Sequence, residues 1–211
     1  MAAKTDTTPY KGHVTLYLAS FIAAAIIFII ATVLAAKGTA TGWEYSWFMA
    51  INGWPERWYY PLLIVTALGS VWMAAATIAV AFFAQFYRLA WRLALSILTA
   101  GALVASAKHV VARARPEGLF GGMHERIVEL GMGFPSWHAA ATTVITLTLL
   151  PYMRGKWRLL VPLLIVAVSL SRLYLGVHIP LDIIGGIALG TAIVACIRIL
   201  PQHIRVLLRI D

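Results

Sequence analysis

Two runs without a single charged side chain, Val14–Ala36 (23 residues) and Pro61–Tyr87 (27 residues), constrain this chain more than any other feature. Hydrocarbon offers the backbone no hydrogen-bond partner, so such a run must coil on itself, and a helix of about 20 residues crosses the roughly 30 Å of a bilayer core. Four shorter uncharged runs follow: Leu93–Ala107, Ala139–Met153, Leu159–Ser171 and Ile183–Ile197. They hold 15, 15, 13 and 15 residues, and reach spanning length only by taking in the polar residues at their ends. Composition agrees, at 61% hydrophobic and 12% charged; a soluble domain averages roughly 45–50% and about 25%. So few charges cannot coat a globule, which excludes a disordered chain, a solvated repeat array and an ordinary soluble enzyme. The expected fold is all-α: a polytopic membrane protein with six transmembrane helices, forming one membrane-embedded domain over residues 1–211.

If every run crosses, Lys108 after the third and His138 before the fourth lie on one side. Arg172 after the fifth, with His178 and Asp182 before the sixth, returns to that side. Ionisable groups at the edge of hydrocarbon are costly, and they mark a functional site by default. Between the first two runs, Gly42–Tyr60 is crowded with Trp and Tyr, which fits an aromatic belt or an interfacial helix bordering a lipid access route. Gly185, Gly186, Ala188 and Gly190 allow close packing of the last helix. The first apolar run exceeds the roughly 7–15 residues of a signal-peptide core and is expected to be a retained helix. The lone Cys196 excludes an intrachain disulfide.

The formal net charge is +9, and in a membrane chain basic residues report orientation before they suggest nucleic acid, which is not expected as a partner. Ten Lys and Arg, among them Lys4, Arg88, Arg92, Arg154, Lys156, Arg158, Arg198, Arg205 and Arg209, share the side of the termini; seven lie opposite. Three of those seven belong to the anion site described next, leaving Lys37, Arg57, Arg113 and Arg126. The positive-inside rule then puts the termini in the cytoplasm and the site at the periplasmic or exterior face of the inner (plasma) membrane.

Three blocks carry chemistry. In the first, Lys108 and Arg115 stand seven residues apart, about two helical turns, on one face ahead of Pro116, and two cations on one face invite an anion. The second, Pro135-Ser136-Trp137-His138, opens an apolar helix whose free N–H groups can cradle a phosphate; Ser136 can equally be a simple N-cap. In the third, Ser171-Arg172 is followed by His178 and Asp182, four apart, so the carboxylate can hold one imidazole nitrogen and leave the other free to attack.

In residues, spacing and order the blocks resemble the tripartite signature K-x6-R-P, P-S-G-H and S-R-x5-H-x3-D of the type 2 phosphatidic acid phosphatase (PAP2) superfamily, over roughly residues 90–200. The resemblance implies a lipid phosphatase in which His178 takes the phosphoryl group, Asp182 orients it and His138 protonates the leaving group. Lys108, Arg115, Ser136, Trp137 and Arg172 would bind the phosphate. Trp137 replaces the usual glycine; it is a poor fit if the position needs a positive φ, but its N–H survives, and the indole is expected to shape the pocket. No metal and no cofactor are expected, because three cations supply the charge stabilisation. The implied substrates are undecaprenyl diphosphate or phosphatidylglycerol phosphate, with phosphatidic acid or lipid A phosphate behind them. Alternatives are a lipid-to-lipid phosphotransferase and a non-catalytic lipid-phosphate carrier. No obligate protein partner is expected.

Overall fold

The computed structural model describes residues 8–200 and 204. Lys4, Arg205 and Arg209 of the charge count lie outside the described residues. Among the described residues eight α-helices carry the fold: α1 (Thr8–Ala35), α2 (Gly42–Asn52), α3 (Tyr59–Ala67), α4 (Val71–Phe83), α5 (Tyr87–Val111), α6 (Trp137–Leu149), α7 (Leu160–Tyr174) and α8 (Pro180–Ile199). No strand occurs among the described residues, so the all-α expectation holds.

Among the described residues, four segments are long and apolar enough to cross a membrane: Val14–Ala35, Tyr87–Gly118, Gly155–Tyr174 and Pro180–Ile199. The bent pair Glu56–Ala67 and Val71–Phe83, whose helices meet at 46°, adds a fifth if it crosses as one span. The 27-residue run is therefore two helices where the uninterrupted apolar pattern predicts one. Helix α3 stops at Ala67, and Ser70 starts the chain in a new direction: its backbone is extended (φ −74°, ψ 160°), and its hydroxyl caps α4 by accepting from the Met73 N–H at 3.1 Å. Helix α6 has 13 residues, about 20 Å of rise, so by itself it is shorter than the hydrocarbon core.

Helix α8 is the axis of the bundle, lying against α1, α6 and α5. One apolar cluster joins Ala74, Ile97, Ala100, Val144 and Leu189 of α4, α5, α6 and α8. A second joins Phe48, Leu62, Leu173, Tyr174 and Ile183 of α2, α3, α7 and α8. Threonines of α6 enter the interior because their hydroxyls bond back to the helix, Thr143 to the Ala139 carbonyl at 2.8 Å and Thr146 to that of Thr142 at 2.7 Å. Outward, Leu16, Ile22, Ile26 and Val33 of α1 and Val80 and Phe83 of α4 are exposed. A surface of that extent is stable against lipid and not against water.

The small residues of α8 do what their size suggests. A Cβ on Gly186 would stand 2.5 Å from the Ser136 carbonyl oxygen and 2.9 Å from the Ala139 Cβ. Backbone therefore touches backbone where α8 crosses the start of α6.

Candidate active site

Helix α5 stops at Val111, where Ala112 adopts a left-handed cap (φ 49°) and donates its N–H to the Lys108 carbonyl at 3.0 Å. The expectation that Lys108 and Arg115 share one helical face is corrected here, because Arg115 lies beyond the helix in extended backbone (φ −75°, ψ 169°). Pro116 disfavours helical backbone at the residue before it, which accounts for the early stop. The Lys108 ammonium donates to the Met132 carbonyl. Arg115 turns inward and is almost fully buried; it donates to the carbonyls of Gly131 (2.9 Å) and Val177 (2.8 Å).

The second block opens α6. Ser136 is its buried N-cap, accepting from the Ala139 N–H at 3.4 Å, while its own N–H donates to the Asp182 carbonyl at 2.9 Å. Trp137 sits in the first turn of α6 and is not among the positive-φ residues, so the strain that would exclude a tryptophan does not arise. Its indole packs on α5, within 3.6 Å of where a Gly101 Cβ would lie, against the first apolar cluster. His138 follows, with its Nδ1 buried and without a hydrogen-bond partner. Gly69, at the α3–α4 break, lies so close that a Cβ there would stand 2.9 Å from the His138 carbonyl oxygen.

The third block spans the α7–α8 turn. Arg172 is buried and donates to the Thr66 hydroxyl at 2.9 Å. His178 lies in the turn, and Pro180 starts α8 at a position where its missing N–H costs nothing. The Asp182 Oδ2 accepts from the Ile179 N–H at 3.1 Å and lies 3.3 Å from His178 Nδ1. This fixes the ring with Nε2 directed away from Asp182. Burial, together with the Arg172 and Arg115 charges, pushes the imidazole well below its usual value, against the opposing pull of Glu129. The ring is therefore neutral, the form with a free electron pair.

One residue at the centre was not expected. Glu129, from the loop between the first two blocks, places Oε2 2.8 Å from Arg115 Nη1, pairs the same oxygen with Arg172 Nη2 and brings it within 3.8 Å of His178 Nε2. Its burial favours the neutral acid, but the Arg172 and Arg115 guanidiniums overcome that and hold the carboxyl down at about 2. No sequence signal separates Glu129 from Glu117 or Glu125 of the same loop. Thr66 was missed for the same reason, since it lies 106 positions from Arg172 in the chain. Direct contacts thus gather Arg115, Arg172 and His178 around one carboxylate, Asp182 joins them through His178, and Ser136 is tied to them through Asp182. Lys108 makes no ion pair with that carboxylate. Among the described residues, no group of three or more His, Cys, Asp or Glu side chains is placed to hold a metal ion.

Residues 89–205, more than half of the chain, match the PAP2 superfamily. The chain belongs to the PAP2 superfamily. Two solved structures share its fold. The PAP2-type phosphatidylglycerolphosphate phosphatase from Bacillus subtilis aligns with a TM-score of 0.67 at 22% identity, covering 85% of this chain and 94% of its own. LpxE of Aquifex aeolicus aligns with a TM-score of 0.66 at 24% identity, covering 73% and 93%. No curated protein sequence matches this PAP2 chain. The PAP2 match starts within α5 and so contains every element of the site except Thr66 and Gly69.

Proposed function

We propose that this protein hydrolyses the phosphate or diphosphate group of a membrane lipid through a phosphohistidine at His178. The Glu129 carboxylate carries the reading: an anionic oxygen held by two buried guanidiniums, 3.8 Å from a free imidazole nitrogen, stands where a substrate phosphoryl oxygen would bind. The substrate displaces that carboxylate. His178 Nε2 then donates its electron pair to phosphorus, the P–O bond to the lipid breaks, and His138 gives its proton to the departing oxygen. Water, deprotonated by His138, attacks phosphorus, the N–P bond breaks with its electrons returning to Nε2, and inorganic phosphate leaves. Asp182 holds the Nδ1–H and balances the charge that develops on the ring. Arg115, Arg172 and Lys108 bind the non-bridging oxygens, and the Ser136 hydroxyl, which accepts from Ala139, retains its hydrogen for a phosphate oxygen. These cations supply the electrostatic stabilisation, so the reaction needs no metal.

Six crossings, with α6 completed by its flanking residues, place this site on the face opposite the basic loops. Arg92 donates to the Tyr152 hydroxyl at 3.4 Å and Arg198 to the Thr148 carbonyl at 3.5 Å, which supports a common basic end for α5, α6 and α8 away from the site. Arg113 and Arg126, counted on the site side, are taken up by buried or backbone contacts, which sharpens the asymmetry. That end is cytoplasmic and the site periplasmic or exterior, with the aromatic α2 at the interface. Phosphatidylglycerol phosphate and undecaprenyl diphosphate are the favoured substrates, the first supported by the Bacillus subtilis fold relative.

The test is phosphate release from a panel of these lipids by the detergent-solubilised protein, with and without EDTA. Release is expected on at least one lipid, undiminished by EDTA and abolished in a folded His178→Ala variant. Near-wild-type release from that variant overturns the mechanism, and a loss in EDTA that magnesium restores overturns the metal-free assignment.

A further inference from the structure

Behind the catalytic carboxylate lies a second charged group that the reaction as described does not use. Arg113 is completely buried, as are Glu44 and Asp182. Its Nη1 donates to Asp182 Oδ1 at 3.3 Å and Glu44 Oε1 at 3.0 Å, and its Nη2 to Glu44 Oε2 at 2.9 Å and the Thr39 carbonyl at 3.0 Å. Glu44 belongs to α2, where its carboxylate also accepts from the N–H and the hydroxyl of Thr41, both at 3.0 Å. The two oxygens of Asp182 are thereby divided: Oδ2 faces His178 and the Ile179 N–H, and Oδ1 faces Arg113.

Two facts distinguish this arrangement from a clamp that merely fastens α2 to the bundle. First, the guanidinium reaches past its bidentate partner to the one oxygen whose rotation would swing Oδ2 away from the imidazole. Second, the charges sum in a useful way. Arg113 alone would neutralise Asp182, leaving nothing to balance an imidazolium; with Glu44 bound, the buried trio carries one net negative charge. We propose that Arg113 is a positioning residue for Asp182, and that Glu44 cancels its charge so that the Asp182 carboxylate keeps its own for the His178 ring. The inference rests on the phosphohistidine reading and deepens it.

The test uses the full-length protein in detergent, labelled with ¹⁵N-histidine, in Glu44→Gln and in the charge-balanced double variant Glu44→Gln/Arg113→Met. Thermal unfolding, kcat and KM are measured beside the imidazole ¹⁵N resonances, with the His178 signal assigned by its loss in His178→Ala. Groups that orient the carboxylate partner of a metal-bound histidine are worth about 10–100-fold in activity, and the same scale is expected for the carboxylate partner of His178. Both variants are expected to lose about that much in kcat with KM changed less than about twofold. In the double variant the His178 resonances should move from the Nδ1–H tautomer toward the mixture of a ring without an oriented acceptor. In Glu44→Gln, where Arg113 still holds Oδ1, the tautomer is kept and the resonances should instead show the imidazole protonating at lower pH than in the wild type. Unchanged kcat and an unchanged His178 spectrum in a folded variant overturn the proposal. A parallel fall in stability, kcat and substrate affinity in the double variant with the tautomer retained also overturns it, because that is the signature of a structural clamp. Should the double variant fail to fold, Glu44→Gln, nearly isosteric, decides by kcat and the His178 protonation midpoint: a fall in both supports the proposal, and an unchanged midpoint overturns it. If the wild-type protein releases no phosphate from any lipid, the functional reading fails, whereas the His178 tautomer still judges the positioning role.

Discussion

Glu129→Gln should make the protein bind phosphate more tightly. In the structure the Glu129 carboxylate holds the two guanidiniums proposed to bind the substrate phosphate, Arg115 at 2.8 Å and Arg172. A hydrogen bond to a charged group is worth about 1.5–3 kcal/mol. Glu129 is about one-third exposed, at 32%, so solvent screening reduces that, and the glutamine keeps a neutral acceptor in place. A net release of about 1–2 kcal/mol remains, which converts to roughly a 5- to 30-fold fall in dissociation constant. The assay is competitive inhibition by inorganic phosphate and by vanadate, alongside KM for the lipid. All three constants are expected to fall by a similar factor, with kcat changed less than about threefold. Since the carboxyl titrates at about 2, it is ionised across about pH 5–8, and the wild-type-to-variant ratio should be flat over that range. An unchanged or raised inhibition constant for phosphate, in a protein that unfolds at the wild-type temperature, would refute the idea that carboxylate and phosphate compete for one seat.

Thr66→Val keeps the shape of the side chain but removes the acceptor for Arg172 Nη1, whose Nε is already unpartnered. Leaving a buried charged donor unpaired costs about 1–3 kcal/mol, so kcat/KM should fall about 5- to 150-fold; a wild-type value would show that Thr66 does not orient Arg172. For sidedness, single cysteines at Gly121 and Lys156 in a Cys196→Ser background are treated with an impermeant thiol reagent on intact cells. Labelling at Gly121 alone is expected, and the reverse pattern would move the chemistry to the cytoplasmic face.

Much of the helical layout was legible in uncharged runs, because hydrocarbon imposes a single backbone solution on them. The same blindness to polarity hid the break after Ala67: Leu68-Gly69-Ser70 is uncharged, and only the Ser70 cap betrays it. His178 and Asp182 were readable because their contact lies within the chain's nearest turns. Arg115 meets Glu129 beside His178 by a route that helical spacing does not describe, since that spacing says nothing about a segment that Pro116 has already forced out of the helix. Glu129, Thr66 and the Glu44–Arg113 pair were not legible at all. Each acts through a contact between segments distant in the chain, and no local pattern distinguishes it from a solvated residue of the same type.

The crossing of α6 and α8 works as a fixed gauge. His138 and His178 are carried by segments whose separation is set where Gly186 meets the Ser136 carbonyl, with no side chain between them to change rotamer. Backbone in contact with backbone leaves little room for the two helices to slide or tilt at this crossing. Adaptation to a new lipid therefore has to come from parts that surround this gauge, such as the Glu129 loop, α2 or the broken α3–α4 pair. A methyl group added at residue 186 would be felt as a change of reaction geometry rather than of preference.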